Sequence, residues 1–178
     1  MKLYTIGHSA HLLERFINLL RLHEVRMLVD VRTAPHSRYH PQYRKSALEQ
    51  GLAEAGIGYL FLGEQLGGRP KDPACFPFGE LPKEDSLPWP RPDYNLVMQR
   101  PWFLQGIQRL LAVAAQQPTA IMCSEEDPAN CHRHLLIATY LQFHYPEVDV
   151  FHIHGSGLLS EAAAMLDQHN QGDQLALL

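Results

Sequence analysis

Short apolar runs alternate along the chain with longer stretches in which apolar residues recur at helical spacing. The apolar runs predict five strands, at residues 3–6, 26–31, 59–62, 119–124 and 148–153. Helical spacing predicts a helix from residue 12 and others at 43–55, 102–116, 131–144 and 158–167. Strands that alternate with helices are typical of a parallel sheet joined by right-handed crossovers.

This alternation predicts the α/β class: a single three-layer α/β/α domain, Rossmann-like, around a mostly parallel five-stranded sheet. The domain is expected to span residues 1–168, and residues 169–178 are expected to form a flexible tail. A long proline-rich loop follows the third strand, since residues 63–92 hold seven prolines and four glycines without a sustained period. Loops of this length are usually lids, binding loops or disordered inserts. The aromatic residues Phe76, Phe78 and Trp89 favour an ordered lid, because disordered segments are poor in aromatics.

The composition excludes several classes of protein. A chain of 178 residues with 46% hydrophobic content suits one domain with a real core. The net charge of −4 argues against attachment of the whole surface to nucleic acid or to an anionic membrane, so any basic surface must be local. No apolar run reaches the roughly 18 residues of a membrane span, and the first residues lead into a strand instead of a signal peptide. Three cysteines without a disulfide spacing fit a reducing compartment, and we expect a cytoplasmic protein with no membrane partner.

Polar and ionisable side chains follow the carboxyl ends of the five predicted strands. In chain order they are His8 and Ser9, Asp30 and Arg32, Glu64, Cys123 with Glu125, and His154. In an open parallel α/β sheet, ligands bind in the crevice beyond these strand ends. Turns at the opposite edge, such as residues 116–118, carry no comparable chemistry. The one-sided distribution therefore predicts a shared site, because core packing gives no reason to load one edge only.

Three of these residues have a structural interpretation beside the functional one. Asp30 either faces a ligand or pairs with Arg32 to hold loops together. Ser9 either contacts a ligand or caps the first helix, where serine is a preferred cap. His8 is a poor cap and can exchange a proton near neutral pH, which favours a role in proton transfer.

The strand-to-helix turn at residues 123–134 holds two thiols, three carboxylates and three basic groups. A turn that only reverses the chain favours Gly, Asn, Asp and Pro, so this segment is interpreted as half of a site. Cys131 is the first candidate nucleophile, because unpaired N–H groups and the positive dipole end of a helix favour a thiolate. Cys123 is the second, and it could equally be a small buried hydrophobic residue.

The basic residues of this turn need a negative partner near a helix N-terminus. The acidic run at residues 125–127 could supply it within the protein. Alternatively, Arg133 and the free N–H groups hold an anionic ligand, with His132 beside them. Glu125 would then orient an arginine or act as an acid or base.

The segment at residues 32–45 contains four fixed positive charges, two histidines, two tyrosines and no acid. Arg38 lies within it, and the pattern suits a phosphate-contacting surface with aromatic faces for stacking. A solvated basic loop would have the same sequence. Several histidines and cysteines could ligate a metal, but they lack the paired Cys-x2-Cys or His-x3-His spacing, so no metal site is predicted.

Six ordered blocks of residues resemble a known family. They are Thr5 to Ser9, Asp30 to Arg32 with Pro35, Ser37 and Arg38, Leu66 to Gly68, Tyr94 with Met98, Met122-Cys123 with Glu125, Pro128 and Cys131 to Arg133, and finally His152-Ile153. These look like the successive motifs of the domain-of-unknown-function family four hundred and eighty-eight. Its members are mostly small bacterial or archaeal α/β proteins without an agreed activity, so the resemblance implies a fold and a site location but no reaction. Ser124 departs from the alanine that the family often has there.

The leading hypothesis is an enzyme whose crevice binds a phosphate-bearing ligand, either a nucleotide or a nucleic acid. Arg32, Arg38 and Arg133 would hold the anion, and a cysteine would serve as the nucleophile if the reaction is covalent. The runner-up is a non-catalytic module that binds nucleic acid or protein through the basic segment and the proline-rich loop. A third hypothesis makes Cys123 and Cys131 a redox pair, and no cofactor is assigned in any of the three.

Overall fold

A computed structural model describes residues 1–83 and 89–165, which form a six-stranded sheet with helices packed on both faces. The strands are β1 (Lys2–Gly7), β2 (Met27–Asp30), β3 (Gly58–Phe61), β4 (Thr119–Cys123), β5 (Asp149–Ile153) and β6 (Leu159–Glu161). The α-helices are α1 (Leu13–Leu22), α2 (Lys45–Glu54), α3 (Gly63–Leu66), α4 (Tyr94–Val97), α5 (Pro101–Ala114) and α6 (Thr139–His144). A π-helical segment, Arg133–Ala138, leads into α6.

The strand order is β3-β2-β4-β1-β5-β6. Each neighbouring pair from β3 to β5 is parallel, and β6 runs antiparallel to β5. The predicted α/β class with a mostly parallel sheet is therefore confirmed. The predicted number of five strands is wrong, because β6 adds a short antiparallel edge.

The sixth strand replaces the start of the helix that was predicted at residues 158–167. Gly157 has a φ of +91°, and the turn closes through hydrogen bonds from Gly157 N to His154 O and from His154 N to Leu158 O. Helical backbone begins at residue 162 and extends to residue 165, the last described residue. Residues 166–167, the predicted domain end at 168 and the predicted tail at 169–178 lie outside the described residues.

Alternating strand residues divide the core between the two faces of the sheet. On one face, Leu28, Ala120 and Met122 pack with residues of α1 and α2, including Phe16, Leu20 and Leu48. On the other face, Leu3, Val29 and Ile121 pack with residues of α5 and α6, including Phe103, Ile107 and Leu141. Burial of both faces explains why the parallel strands read as nearly continuous apolar runs.

The strand order reverses direction at β4. The chain leaves β1 for β2 and β3 by way of α1 and α2 on one face, then returns to β4 and crosses to β5 by way of α5 and α6 on the other. The connections after the neighbouring strands β1 and β4 consequently diverge to opposite faces. Such a reversal opens the crevice in which open α/β sheets bind ligands.

The described part of the proline-rich segment, residues 63–83 and 89–92, is built from short helical turns. After α3, 3-10 turns form at Pro73–Cys75 and Pro77–Gly79. Asp72 caps the first of these turns by accepting a hydrogen bond from Ala74 N, and Asp93 caps α4 in the same way. Residues 84–88 lie outside the described residues. In the ranges that are described, no helix has both the length and the apolar character needed to cross a membrane.

Candidate functional site

A buried ion pair occupies the carboxyl end of β2. Asp30 is 0% exposed and Arg32 is 4% exposed, and the guanidinium donates to both carboxylate oxygens, with Nη2 to Oδ2 at 2.6 Å and Nε to Oδ1 at 2.9 Å. The Tyr59 hydroxyl donates a third hydrogen bond to Oδ2 at 2.9 Å. Asp30 therefore orients Arg32, which lines a large cavity at this edge of the sheet.

His8 lies against this ion pair and is 3% exposed. Its Nδ1 donates to Ser9 O at 2.8 Å, its ring stacks on Tyr43 at 4.1 Å, and its Nε2 lies 3.4 Å from Nη1 of Arg32. Burial, assisted by the charge of Arg32, lowers the pKa of His8 to about 4. His8 is thus a neutral ring that supports Arg32 and lies outside the cavity wall, whereas the sequence suggested a proton relay.

The turn after β4 brings two thiols, an imidazole and a carboxylate together. Cys123, Cys131 and His132 are buried, whereas Glu125 is exposed. Glu125 Oε2 accepts from the thiols of Cys123 at 2.8 Å and Cys131 at 3.2 Å. Nδ1 of His132 lies 3.5 Å from Sγ of Cys123 and 3.8 Å from Sγ of Cys131. Four of the residues singled out in the sequence therefore form one cluster.

Local hydrogen bonds fold this turn back on itself. Asp127 accepts from Ala129 N and from Asn130 Nδ2, both at 2.9 Å, and this caps the 3-10 turn Pro128–Asn130. The turn is also joined to β1, because His8 N donates to Cys123 O at 2.9 Å. Cys131 is consequently returned to the side of Cys123, eight positions earlier in the chain.

Arg133 lies inside the protein beneath this turn and is 0% exposed. Its Nη1 donates to Glu125 O, its Nη2 to Glu126 O at 2.6 Å, and its Nε to Thr5 Oγ1 at 3.2 Å. The sequence suggested that Arg133 holds an external anion. The geometry instead places its charge on the backbone carbonyls that shape the turn.

The protonation of the cluster differs from the sequence expectation. Burial raises the pKa of the Cys131 thiol, and its hydrogen bond with Cys123 raises it further, so no thiolate is favoured there. Burial alone would raise the pKa of Glu125. Hydrogen bonds from Cys123, from its own backbone N–H and from Cys131 outweigh that effect and lower the pKa, which keeps the carboxylate ionised.

A cavity of about 780 Å³ opens above the cluster. Its floor is formed by the four cluster residues and Ser124, and one wall is formed by Arg32, Thr33, Ala34 and His36. The proline-rich segment and the first residue of α4 supply another wall, which includes the exposed cations Arg69, Lys71 and Arg91 and the aromatic rings of Trp89 and Tyr94. The cavity therefore lies at the carboxyl ends of the strands, where the chain reverses direction.

Three residues that the sequence singled out lie elsewhere. Ser9 continues the pairing of β1 beside the β4 turn, with its N–H donating to Ser124 O at 2.9 Å. Arg38 is exposed, and its guanidinium lies 5.9 Å from the ring of Tyr39. His154 hydrogen-bonds Ser160 Oγ at 2.7 Å across the β5–β6 turn. None of the three belongs to the cavity lining.

Sequence reasoning missed the cations of the proline-rich segment. Arg69, Lys71 and Arg91 are dispersed among prolines and show no periodicity, so only the aromatic residues marked this segment as ordered. It noted Gly68 only as part of a block shared with the family and gave it no role at the site, although a Cβ atom there would lie 2.8 Å from Nδ1 of His132. The adjacent glycines at 67 and 68 were the available signal, because paired glycines often mark a close backbone approach.

Two further histidines, His134 and His152, form a hydrogen-bonded pair that is buried beside Arg133. His152 is 1% exposed, and its ring nitrogens contact Thr5 Oγ1 at 2.7 Å and His134 Nδ1 at 3.0 Å. Burial lowers the pKa of His152 to about 3, and the nearby His134 and Arg133 lower it in the same direction. His152, like His8, is therefore neutral in the folded protein at pH values where an unfolded chain binds a proton.

Acid is expected to destabilise the protein through these two histidines. Unfolding takes up protons at both sites below the ordinary pKa of 6.5, down to the folded values of about 4 for His8 and about 3 for His152. Each histidine then lowers the free energy of unfolding by up to about 1.4 kcal/mol for every pH unit in that window. Urea denaturation between pH 7 and pH 4.5 measures the slope. His8→Phe should reduce this slope, whereas His36→Phe, which replaces an exposed histidine, should leave it unchanged. Equal slopes in the unmodified protein and both variants would contradict the role of His8 in acid destabilisation.

Comparison with known proteins identifies a family. A model described as "Domain of unknown function DUF488" matches residues 12–141, which include the Asp30–Arg32 pair and all four cluster residues. Comparison with curated proteins and with solved structures finds no match. Since the family model covers well over half of the 178 residues, the chain belongs to the DUF488 family.

Proposed function

We propose that this protein is a cytoplasmic enzyme that binds a phosphate-bearing ligand, a nucleotide or the end of a nucleic acid strand, in the cavity at the carboxyl ends of the strands. The observation that carries the proposal is the composition of one cavity. Cations and aromatic rings line its walls, and a cluster of thiols, imidazole and carboxylate lies on its floor. The walls can therefore bind a ligand, while the floor of the same cavity carries the reactive side chains.

The charge of the described cavity lining favours an anion. Four arginine or lysine side chains line it against one carboxylate, Glu125. Arg32 is held by Asp30, so its charge is partly neutralised. Arg69, Lys71 and Arg91 are exposed at the wall and can donate charge-assisted hydrogen bonds to phosphate oxygens.

The aromatic side chains of the wall favour a ligand that also carries a base. The guanidinium of Arg69 lies 5.3 Å from the ring of Trp89, so a cation and an aromatic face are presented together. Bases stack on such rings with about 1–3 kcal/mol each. Burial raises the pKa of Tyr94 to about 12, so its hydroxyl stays protonated and can donate to the ligand.

The floor of the cavity suits proton transfer. Glu125 is ionised and faces the cavity, so its carboxylate can accept a proton from a ligand there, as a base of low pKa. The raised pKa of Cys131 makes a covalent thiol mechanism less suitable in this protonation state. We therefore assign the first chemical role to Glu125. The thiols hold its carboxylate in place through their two hydrogen bonds.

A pair of charge-matched variants tests the binding part of the proposal. Isothermal titration calorimetry with a panel of nucleoside 5′-monophosphates and a short single-stranded oligonucleotide is expected to detect binding. Arg69→Ala/Arg91→Ala should weaken it at least about tenfold, because each charge-assisted hydrogen bond contributes about 1.5–3 kcal/mol. Arg26→Ala/Arg109→Ala removes the same charge from exposed positions outside the cavity lining and should have little effect. Absence of binding to every probe, or equal losses in both variants, would overturn the proposal.

Turnover separates an enzyme from a binding module. Chromatography of the bound nucleotide after incubation is expected to show conversion by the unmodified protein. Glu125→Gln should retain binding and lose at least about 100-fold in rate, the usual contribution of a general base. Binding without any conversion would leave the non-catalytic module as the function.

A further inference from the structure

We propose that Cys123, Glu125, Cys131 and His132 bind a zinc ion. Each of these residues offers one ligand atom, and the four atoms all lie within 4.8 Å of one another. The inference goes beyond the proposed function, because metal binding can be measured without any ligand in the cavity. It rests on the position of the donors, the orientation of the imidazole and the chemistry of the donor set.

The distances within the cluster are close to those of a tetrahedral zinc site. Ligand atoms about 2.0–2.3 Å from zinc at tetrahedral angles stand about 3.3–3.8 Å from one another. Nδ1 of His132 lies 3.5 and 3.8 Å from the two sulfur atoms. The carboxylate oxygen of Glu125 lies 2.8 and 3.2 Å from the same atoms, as the acceptor of thiol hydrogen bonds. A zinc ion would replace the two thiol protons with small outward shifts of that oxygen.

His132 is oriented as zinc-ligating histidines are. Its Nε2 donates to Val31 O at 2.9 Å, so Nδ1 is the ring nitrogen that faces the two sulfur atoms and is available to a metal. A hydrogen bond from the other ring nitrogen to a backbone carbonyl is the usual support of a metal-bound histidine. Gly68 packs closely against the same ring, because a Cβ there would lie 2.8 Å from the Nδ1 and Cγ atoms.

The donor set selects zinc among common metals. Two sulfurs, one imidazole nitrogen and one carboxylate oxygen suit tetrahedral zinc, whereas calcium and magnesium prefer oxygen donors alone. Binding releases the two thiol protons and leaves both cysteines as thiolates. The sulfurs and the imidazole are buried, and Glu125 is the exposed donor facing the cavity. Glu125 is therefore the ligand that water or a cavity ligand can replace, and only the displaced carboxylate is free to act as a base.

Metal content tests the inference. Protein purified without chelator, or refilled with zinc sulfate after chelation, is expected to hold about one zinc ion per chain by mass spectrometry. Cobalt(II) in place of zinc should give a thiolate-to-cobalt charge-transfer band. Cys123→Ser and Cys131→Ser should each weaken zinc affinity at least about 100-fold, since even residues that only hydrogen-bond a metal ligand contribute about 10–100-fold. Competition with a chromophoric chelator gives these affinities.

Matched variants keep the test decisive. Cys75→Ser removes the third buried thiol, which is outside the cluster, and should retain full zinc content. Glu125→Gln changes an exposed side chain, so this variant should fold even if the cysteine variants do not. It should weaken zinc affinity about tenfold. No zinc uptake, a cobalt spectrum without the thiolate band, or equal losses for Cys75→Ser and Cys123→Ser would each overturn the inference. These measurements use no nucleotide, so their failure is separate from failure of the proposed function.

Discussion

Replacing Arg133 with methionine is expected to lower the free energy of unfolding by about 3–5 kcal/mol. The side chain is 0% exposed, and its three nitrogens donate to Thr5 Oγ1 and to two backbone carbonyls of the β4 turn. Methionine fills similar space but leaves those carbonyls without their donors, and an unsatisfied buried polar group costs about 1–3 kcal/mol. The loss should also loosen the turn that carries Glu125.

Urea denaturation measures this effect, with Arg109→Met as the control. Arg109 is an exposed arginine on α5, so the same chemical change there should alter stability by no more than about 0.5 kcal/mol. Equal effects of the two substitutions would contradict the structural role of Arg133. Wild-type stability in Arg133→Met, combined with weaker anion binding, would instead support the contact with an external anion that the sequence suggested.

Asp30→Asn is expected to destabilise the protein by about 3–5 kcal/mol. The substitution removes the negative charge from a carboxylate that is 0% exposed and leaves Arg32, 4% exposed, without its counter-charge. Removal of one partner of a buried pair is much more harmful than removal of both. The double variant Asp30→Asn/Arg32→Met should therefore be more stable than Asp30→Asn alone.

Tyr59→Phe provides the matched control for this ion pair. It deletes only the hydroxyl that donates to Asp30 Oδ2 at 2.9 Å, so a loss of about 1.5–3 kcal/mol is expected for one hydrogen bond to a charged group. Thermal and urea unfolding of the four proteins give the comparison. If the double variant is less stable than Asp30→Asn, then Arg32 contributes through contacts other than the ion pair.

The sheet was predictable because its central strands are buried on both faces. Runs such as residues 26–31 and 119–124 are rich in consecutive apolar residues, and their spacing leaves room for crossover helices. The position of the polar side chains was also predictable, because the carboxyl ends of parallel strands lie at the same edge of the sheet. The antiparallel strand β6 was missed, since three residues are too short to show an alternating pattern.

The site was less predictable than the sheet because burial changes the meaning of a charged residue. Arg133 and Arg32 carry the same charge in the sequence, yet one is enclosed beneath the β4 turn and the other lines the cavity. The cysteine and histidine ligand candidates also lacked a recognised spacing, because the fold joins a strand end to a residue pair eight positions later. The Asp127-Pro128 pair marks the start of the turn locally, but no sequence spacing shows that the turn returns Cys131 to Cys123.

The central place of β4 gives the two sides of the cavity different tolerance to evolutionary change. Backbone hydrogen bonds hold the end of β4 from both neighbours, with Val31 N donating to Met122 O at 3.1 Å and His8 N donating to Cys123 O at 2.9 Å. The described part of the proline-rich wall, within residues 63–83 and 89–92, contains no strand, and the turn at Pro73–Cys75 is held by the Asp72 cap and by a hydrogen bond from Asp93 N to Cys75 O. Related proteins can therefore acquire new ligand preferences by exchanging residues at 69–92 while the reactive floor keeps its geometry.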